Sequence, residues 1–418
     1  MAVVTGASTG IGKATAERLA RDPGTELVLL ARREEERVTA LELFFDLVFV
    51  LALTQCTALM ATDPTWQGLG RGLLVLAVLW WSWGGYAWLT SVVDPEEGTV
   101  RLAMFVAMAA FLVAALSVPD AFGNDAFAFA CAYGIVRVAH IWLFTIASRD
   151  DPGLRRSVTG LAASTAVGVG LLLTASTTDG ALQGTLWCVA LLLDVGAPFL
   201  FWAEGWRLMP AHFAERHGLI ILIALGESIV AIGVGSEAVV DASVVAAATL
   251  GVALAAALWW LYFDVIAWLA ERRLSSTAPG REQNELARDA YSLIHFPMVA
   301  GIVLAALGLK TTLAHVGDPL HVVPAAALVG GVALYLLAHV GFRWRLVGSL
   351  STQRLVGAVA VLALFPVARE VPALLTLALV VAVVCALVVY EVIRFGETRR
   401  RVRDEHAVGH GSERGLQG

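Results

Sequence analysis

Charged side chains are scarce in this chain of 418 residues, and their scarcity excludes a soluble globular protein. Only 15% of the residues are Asp, Glu, Lys or Arg, whereas about 25% is usual in soluble domains. Hydrophobic residues make up 58% and the mean hydropathy is +0.75. Apolar runs of about 20 residues recur, which is the length that a helix needs to cross the hydrocarbon core. The composition indicates a multispanning helical membrane protein in contact with the lipid bilayer.

Cysteine is also rare, and the positions of the four cysteines indicate neither a disulfide nor a metal site. Cys56, Cys131, Cys188 and Cys385 all fall inside apolar runs, as small buried hydrophobic residues do. They provide neither a disulfide framework nor the spacing of metal ligands. The H-E-x-x-H and G-x-S-x-G signatures are absent from the sequence. We therefore expect no metal, no cofactor, no nucleic-acid partner and no enzymatic activity.

The apolar runs predict an all-α, polytopic bundle of about twelve transmembrane spans. They cover residues 43–61, 69–90, 101–118, 125–147, 157–175, 182–203, 217–236, 243–270, 289–309, 322–342, 354–369 and 371–393. The eleventh run is the weakest, because it is short and only residues 369–372 separate it from the twelfth. Those four residues could instead mark a hairpin that does not cross the membrane.

Basic residues indicate the orientation of the spans. Of the 29 Lys and Arg residues, 25 fall in the termini and alternate loops on one side, three fall on the other side, and Arg137 lies within a span. Cytoplasmic loops collect Lys and Arg, so we predict a multi-pass protein of the inner (plasma) membrane with both termini in the cytoplasm. This assignment places Arg216 in a cytoplasmic loop. A ten-span arrangement without the last two spans would keep the same orientation.

The first 37 residues form a different pattern. "VVTGASTGIGKATAERLA" at residues 3–20 has the glycines of a phosphate-binding turn, Gly6, Gly10 and Gly12, between a strand and a helix. With "ELVLLARREEE" it resembles the β-α-β start of a Rossmann-like short-chain dehydrogenase. That family uses a Tyr-x-x-x-Lys pair, and neither Lys13 nor Lys310 has a tyrosine four residues before it. We interpret residues 1–37 as a vestigial or fused fragment, or a mis-set translation start; a working cofactor site and a cytoplasmic appendage stay open.

Four later segments carry a second resemblance. They are "RVTALELFFDLVFVLALTQ" at 37–55, "ERHGLIILIALGESIVAIG" at 215–233, "WWLYFD" at 259–264 and "YSLIHFPMVAGIVLAALG" at 291–308. They are similar to the bacterial low temperature requirement A (LtrA) family. The resemblance implies an integral membrane domain over residues 38–395, linked by name to growth in the cold, and brings no established activity. Residues 396–418 are expected to form a basic, disordered cytoplasmic tail.

Ionisable and polar side chains inside the apolar runs are the candidates for function, because burying them in a membrane costs free energy. Asp46 shares a helix face with Glu42, which could instead be a helix cap in the headgroup region. Asp194 and Glu227 are predicted near the middle of their spans, beside Gly or Pro. The candidate residues for transport or ion binding are Asp46, Gln55, Arg137, His140, Asp194, Glu227, Asp264 and His295.

The balance of these charges suggests a function. Four acids at depth face one arginine, Arg137, whose partner is expected to be Asp46 or Glu227. Acids and histidines in a dry interior form proton relays and cation sites. We predict a secondary transporter or channel for a small cation or a proton-coupled solute, with a cavity open to the cytoplasm. A non-transport membrane enzyme, or a sensor or stress-adaptation protein, is the alternative; substrate, direction and oligomeric state stay open.

Overall fold

The computed structural model describes residues 2–5, 27–30, 38–201, 205–235 and 241–397. It divides into two units, Met1–Thr39 and Ala40–Gly418. In the first unit, strand β1 (Ala2–Thr5) pairs in parallel with strand β2 (Leu27–Leu30). The glycine turn and the helix predicted between them lie outside the described residues, as does the tail from residue 398. The dehydrogenase-like fragment therefore stays a prediction.

The second unit is helical, as predicted. Its helices are α1 (Ala40–Thr62), α2 (Trp66–Leu89), α3 (Gly98–Leu116), α4 (Ala126–Ala147), α5 (Pro152–Ala175), α6 (Gly180–Phe201), α7 (Pro210–Gly235), α8 (Ala242–Phe263), α9 (Ile266–Ser276), α10 (Arg281–Ala287), α11 (His295–Ala314), α12 (Val322–Val347), α13 (Thr352–Leu362), α14 (Phe365–Ala368) and α15 (Ala373–Arg394). A π-helical segment, Arg288–Ile294, joins α10 to α11.

Eleven helical segments in the described part of the chain are long and apolar enough to span a membrane. In this count α8 continues into α9 as Ala242–Ser276, and α10, the π-helical segment and α11 form Arg281–Ala314. Large apolar side chains point outward along the bundle, among them Leu102, Val138 and Leu192. Such an apolar outer surface indicates a lipid environment. The multispanning architecture predicted from composition is confirmed.

The predicted eleventh span is a shorter apolar segment, Thr352–Ala368, made of α13 and α14. Its 17 residues reach about 25 Å as helix. The backbone N–H of Leu320 donates to the carbonyl of Ala368 at 3.3 Å, and that of Ala373 donates to Asp318 at 2.9 Å. The chain therefore returns along α12 to the end where α12 begins, as a segment that crosses the membrane does.

The packing of the first six spans recurs in the last six. In the first half α1 packs on α3, α3 on α4 and α5 on α6; in the second half α7 packs on α11, α11 on α12 and α13 on α15. Likewise α2 contacts α6, and α8 contacts α15. The two halves meet where α1 packs on α7. The described part of the bundle thus divides into two sets of six helical segments with matching contacts.

Glycines bring α11 and α12 into backbone contact. A Cβ atom on Gly301 would lie 2.6 Å from the carbonyl oxygen of Gly331, and one on Gly331 would lie 2.6 Å from the nitrogen of Ala305. No larger side chain fits at either position without moving backbone. Small residues allow this close approach of membrane helices, which gains van der Waals contact. The contact fixes α11 against α12, and each of these helices carries a buried histidine, His295 and His339.

Helix ends outside the spans are capped by short polar side chains. Asp241 accepts hydrogen bonds from the backbone N–H groups of Ser243 and Val244, both at 2.9 Å, at the start of α8. Hydrogen bonds from the Ser243 hydroxyl and from these N–H groups hold the pKa of Asp241 below its usual value. Thr65 caps α2 and Asp151 caps α5 in the same way. These caps separate the spans at defined residues.

Candidate functional site

Helices α1 and α7 lie side by side, run in the same direction, and pair polar residues at three successive levels. His212 Nε2 lies 3.0 Å from the carboxylate of Glu42. One turn on, Arg216 Nη2 lies 2.6 Å from Asp46 Oδ1. Farther along both helices, the Thr54 hydroxyl donates to Glu227 Oε2 at 2.6 Å. We call these six residues, Glu42, Asp46, Thr54, His212, Arg216 and Glu227, the α1–α7 polar column.

Arg216 is the centre of the first two levels of the column. Its Nη1 lies 3.6 Å from Glu42 and donates to the Thr90 hydroxyl at 3.1 Å. The guanidinium carbon lies 5.5 Å from the ring centroid of Trp83, whose indole N–H donates to Asp46 at 2.7 Å. Arg216, Glu42 and Asp46 are each 0% exposed. A buried guanidinium is therefore matched by two carboxylates, a hydroxyl and an aromatic face.

One prediction about this region is wrong. Arg216 does not lie in a loop, because α7 begins at Pro210, seven residues before the predicted span, and the extra turns carry Arg216 into the bundle. The headgroup position considered for Glu42 stays a prediction; its side chain lies on the first turn of α1 and is buried against His212 and Arg216. Hydropathy locates the apolar part of a span, whereas the helix itself extends over the polar turns before it.

Glu227 lies at the other end of the column. Because α7 begins early, Glu227 is about 25 Å along the helix, past the middle rather than near it. It is 2% exposed, and Lys310 on α11 attracts it electrostatically. Among the described residues no arginine or lysine lies within salt-bridge distance of it. Its described contact is the Thr54 hydroxyl, so the carboxylate is held by a hydrogen bond rather than by an ion pair.

Arg137 pairs with a buried acid, but the predicted partners are wrong. Its Nη2 lies 3.1 Å from Asp194 Oδ1 and donates to the Thr165 hydroxyl at 2.7 Å. Tyr133 donates to the other oxygen of Asp194 at 2.9 Å. This network joins α4, α5 and α6, whereas Asp46 is held by Arg216. The packing of α4 between α5 and α3 brings Arg137 to α6 rather than to α7.

The second half of the bundle holds a corresponding ion pair that the sequence did not reveal. Arg354 at the start of α13 contacts both oxygens of Glu391 on α15, at 2.8 and 2.9 Å. Its Nη1 lies 2.8 Å from His339 Nδ1 on α12. In each half, then, an arginine and an acid tie together the fourth, fifth and sixth spans. The expectation of one arginine at depth is wrong, because Arg137, Arg216 and Arg354 are all buried.

His295 belongs to an aromatic and histidine cluster between α7, α8 and α11. Its Nε2 lies 2.9 Å from the Tyr262 hydroxyl, and its Nδ1 lies 3.0 Å from the carbonyl of Ala290 in the π-helical segment. The ring centroids of His295 and His217 are 5.4 Å apart. The π-helical turn supplies the carbonyl that orients His295, a use of such turns that is frequent at functional sites.

The remaining candidate residues lie apart from the column. Gln55 is half-buried on α1, and Asp264 is half-buried at the break between α8 and α9. His140 is 1% exposed, packs against Tyr86 and Phe144, and lines a cavity described below. Within the described ranges, no three His, Cys, Asp or Glu residues are grouped so that they could hold a metal ion.

This arrangement defines a class. A helical bundle with eleven candidate spans, an apolar outer surface and buried ion pairs between its helices is a multi-pass integral membrane protein. The family model described as bacterial low temperature requirement A protein (LtrA) matches residues 37–389, and the chain belongs to this family. The chain is 29% identical over 310 residues to the uncharacterized protein RA0937 of Rhizobium meliloti (strain 1021), covering 71% of this chain and 74% of that protein. No solved structure matches the chain.

Proposed function

We propose that this LtrA family protein is a secondary transporter or channel for a small cation or a proton-coupled solute, in the inner membrane with both termini in the cytoplasm. The observation that carries the proposal is the α1–α7 polar column. Ionisable residues inside a bundle are costly and mark ion and substrate pathways. Five ionisable residues of the column lie along the interface where the two halves of the bundle meet, in addition to the ion pairs within each half.

The repeated packing of the two halves supports the same proposal. Secondary transporters are commonly built from structural repeats, and their ions and solutes bind at the interface between the repeats. Helices α1 and α7 pack against each other at that interface in this protein. The column spans about 22 Å along α7, from His212 to Glu227, which is about three quarters of the thickness of the hydrocarbon core.

The two ends of the column have different chemistry. At one end Asp46 and Glu42 on α1 are held by Arg216 and His212 on α7. Protonation of Asp46 would remove its charge and weaken its bond to Arg216, so a proton there would loosen α1 from α7. At the other end Glu227 accepts a hydrogen bond from the Thr54 hydroxyl. A carboxylate and a hydroxyl without a paired arginine are groups that bind a small cation.

Flux measurements on purified protein in proteoliposomes test the proposal. We expect the wild-type protein to carry protons, Na⁺ or K⁺ along an imposed gradient, and Glu227→Gln to reduce that flux at least about tenfold. Glu282→Gln is the matched control, since it makes the same change at an exposed position. Absence of flux above empty vesicles, across all cations and with proton-coupled amino acids added, would overturn the proposed function. Full flux through Glu227→Gln would remove Glu227 from the pathway.

We further propose that the protein is not a dehydrogenase and that residues 1–37 bind no cofactor. The support is the missing Tyr-x-x-x-Lys pair. A variant lacking residues 2–36 should insert and carry flux as the full chain does. Saturable NADPH binding by the full chain that disappears in the shortened variant would contradict this.

A further inference from the structure

The first half of the bundle contains a cavity away from the α1–α7 polar column. Its volume is about 50 Å³, and its walls come from α2, α4, α5, α6, Trp206 and the π-helical segment. A water molecule needs about 10–15 Å³ on this measure, so the cavity has room for on the order of four waters or one small ion. Helix α2 lies between this cavity and the α1–α7 polar column. One face of α2 lines the cavity, and Trp83 on its other face donates a hydrogen bond to Asp46 in the column.

Buried donors without acceptors line this cavity. Arg137 uses Nη2 on Asp194 and Thr165, but its Nε has no hydrogen-bond partner among the described residues. An arginine nitrogen can only donate. Neither ring nitrogen of His140 makes a well-aligned hydrogen bond within the same described part of the chain, and the backbone of Gly85 is the polar group that interacts with the ring. Both side chains are 1% exposed, so bulk water does not satisfy them. The cavity therefore presents N–H groups that need an acceptor.

The rest of the wall is suited to negative charge. Arg288, which pairs with Asp289 at 2.7 Å, is a second arginine in the wall, and the described lining residues include no Asp or Glu. The Ser292 hydroxyl accepts the indole N–H of Trp88 at 3.0 Å. Trp80 donates to the Ser292 carbonyl at 2.8 Å, which fixes the π-helical segment beside the cavity. Guanidinium, imidazole and hydroxyl donors against indole walls suit a small anion with a short apolar part.

A buried glycine borders this cavity. Gly84 on α2 is buried, yet a Cβ added to it would meet no atom of the described residues within 4 Å. At the next residue, Gly85, the same atom would lie 2.9 Å from the ring of His140. A Cβ at position 84 would thus find room, whereas one at position 85 would displace His140.

We propose that this cavity is a binding site for a small monovalent anion no larger than acetate, held by Arg137 and His140. The site is independent of the proposed cation pathway, since the two share no residue. The anion accepts hydrogen bonds from the N–H groups of Arg137 and His140, and the indole rings of the cavity wall pack against its apolar part.

Binding of radiolabelled acetate to the full-length protein in lipid nanodiscs, in gluconate buffer free of chloride, tests the proposal. The wild-type protein should bind acetate saturably, with one site per chain. Gly84→Val should weaken binding at least about tenfold by filling the cavity, and His140→Phe should do the same by removing donors while keeping a ring. Gly170→Val is the matched control, because Gly170 is an exposed helix glycine with no atom within 4 Å of an added Cβ. It should bind as the wild type does.

Competition separates an anion site from other modes of binding. Unlabelled formate and chloride should displace acetate in this gluconate buffer, whereas ammonium, which is a cation, should not. Absence of saturable acetate binding by the wild type would overturn the proposal. Equal binding by all four proteins, or displacement by ammonium gluconate, would overturn it as well. If Gly84→Val does not fold, His140→Phe and the competition series still decide the matter. None of these outcomes depends on cation flux.

Discussion

Asp46 and Arg216 lie 2.6 Å apart, and neither side chain is exposed to solvent. Removing one partner of a buried pair leaves an uncompensated charge, which costs about 3–5 kcal/mol. We therefore expect Arg216→Ala to lower the free energy of unfolding in mixed detergent micelles by about that amount. Arg207→Ala, at an exposed position just before α7, is the control and should have little effect. Equal losses in the two variants would show that the buried pair does not hold α1 against α7.

The pairing of Arg137 with Asp194 is open to a double-mutant cycle. Arg137→Ala and Asp194→Asn should each destabilise the protein, and the double variant should lose less than the sum, by at least about 1 kcal/mol. The control cycle combines Arg137→Ala with Glu227→Gln, and its losses should add because those residues belong to separate networks. Unfolding titrations of the wild type and the five variants provide the measurement. Strict additivity in the Asp194 cycle would contradict the ion pair.

The contact between α11 and α12 predicts a sharp difference between two adjacent glycines. Gly331→Ala should destabilise the bundle by about 1–3 kcal/mol, because the added methyl group meets the backbone of α11. Gly330→Ala should be tolerated, because a Cβ there meets no atom within 4 Å. Thermal unfolding of both variants in the same detergent is the measurement. Similar melting temperatures for both would mean that the helices are farther apart than described.

The short segment Thr352–Ala368 gives a topology prediction. Alkaline phosphatase, which is active only outside the cytoplasm, should be inactive when fused after Ser349 and active when fused after Glu370. A fusion after Thr178, between α5 and α6, is the positive control, because that loop is predicted to be outside. Equal activity at Ser349 and Glu370 would show that α13 and α14 turn back without crossing.

Much of the helical architecture could be predicted, because the bilayer constrains the length and composition of the helices that cross it. Apolar runs of span length, and loops that alternate in basic content, follow from the thickness and charge asymmetry of the bilayer. The need of Arg137 for an acid also follows, since a lone guanidinium at that depth is costly. Its partner does not follow, because Asp194 is 57 residues away and only the packing of α4, α5 and α6 brings the two together.

The sequence allowed the acidic α1 residues of the α1–α7 polar column to be predicted, but not the basic α7 residues that pair with them. Glu42 and Asp46 could be assigned to one face from their spacing of four. His212 and Arg216 have the same spacing, but hydropathy placed them before the span, and so they were missed. Matching an acidic pair at the start of one span with a basic pair at the start of another is the signal that could have identified them. The ion pair of Arg354 and Glu391 left no such signal, because its members stand singly on separate helices.

In the polar column the carboxylates of α1 face the basic side chains of α7, and this affects which halves can assemble with each other. Halves with the same internal packing could, by shape alone, assemble as two copies of either one. Two copies of the first half would set Glu42 and Asp46 against their own duplicates, and two copies of the second would set Arg216 against Arg216. Like charges buried face to face repel strongly in a dry interior. The charges at this interface therefore make the halves an obligate pair, each the necessary counterpart of the other.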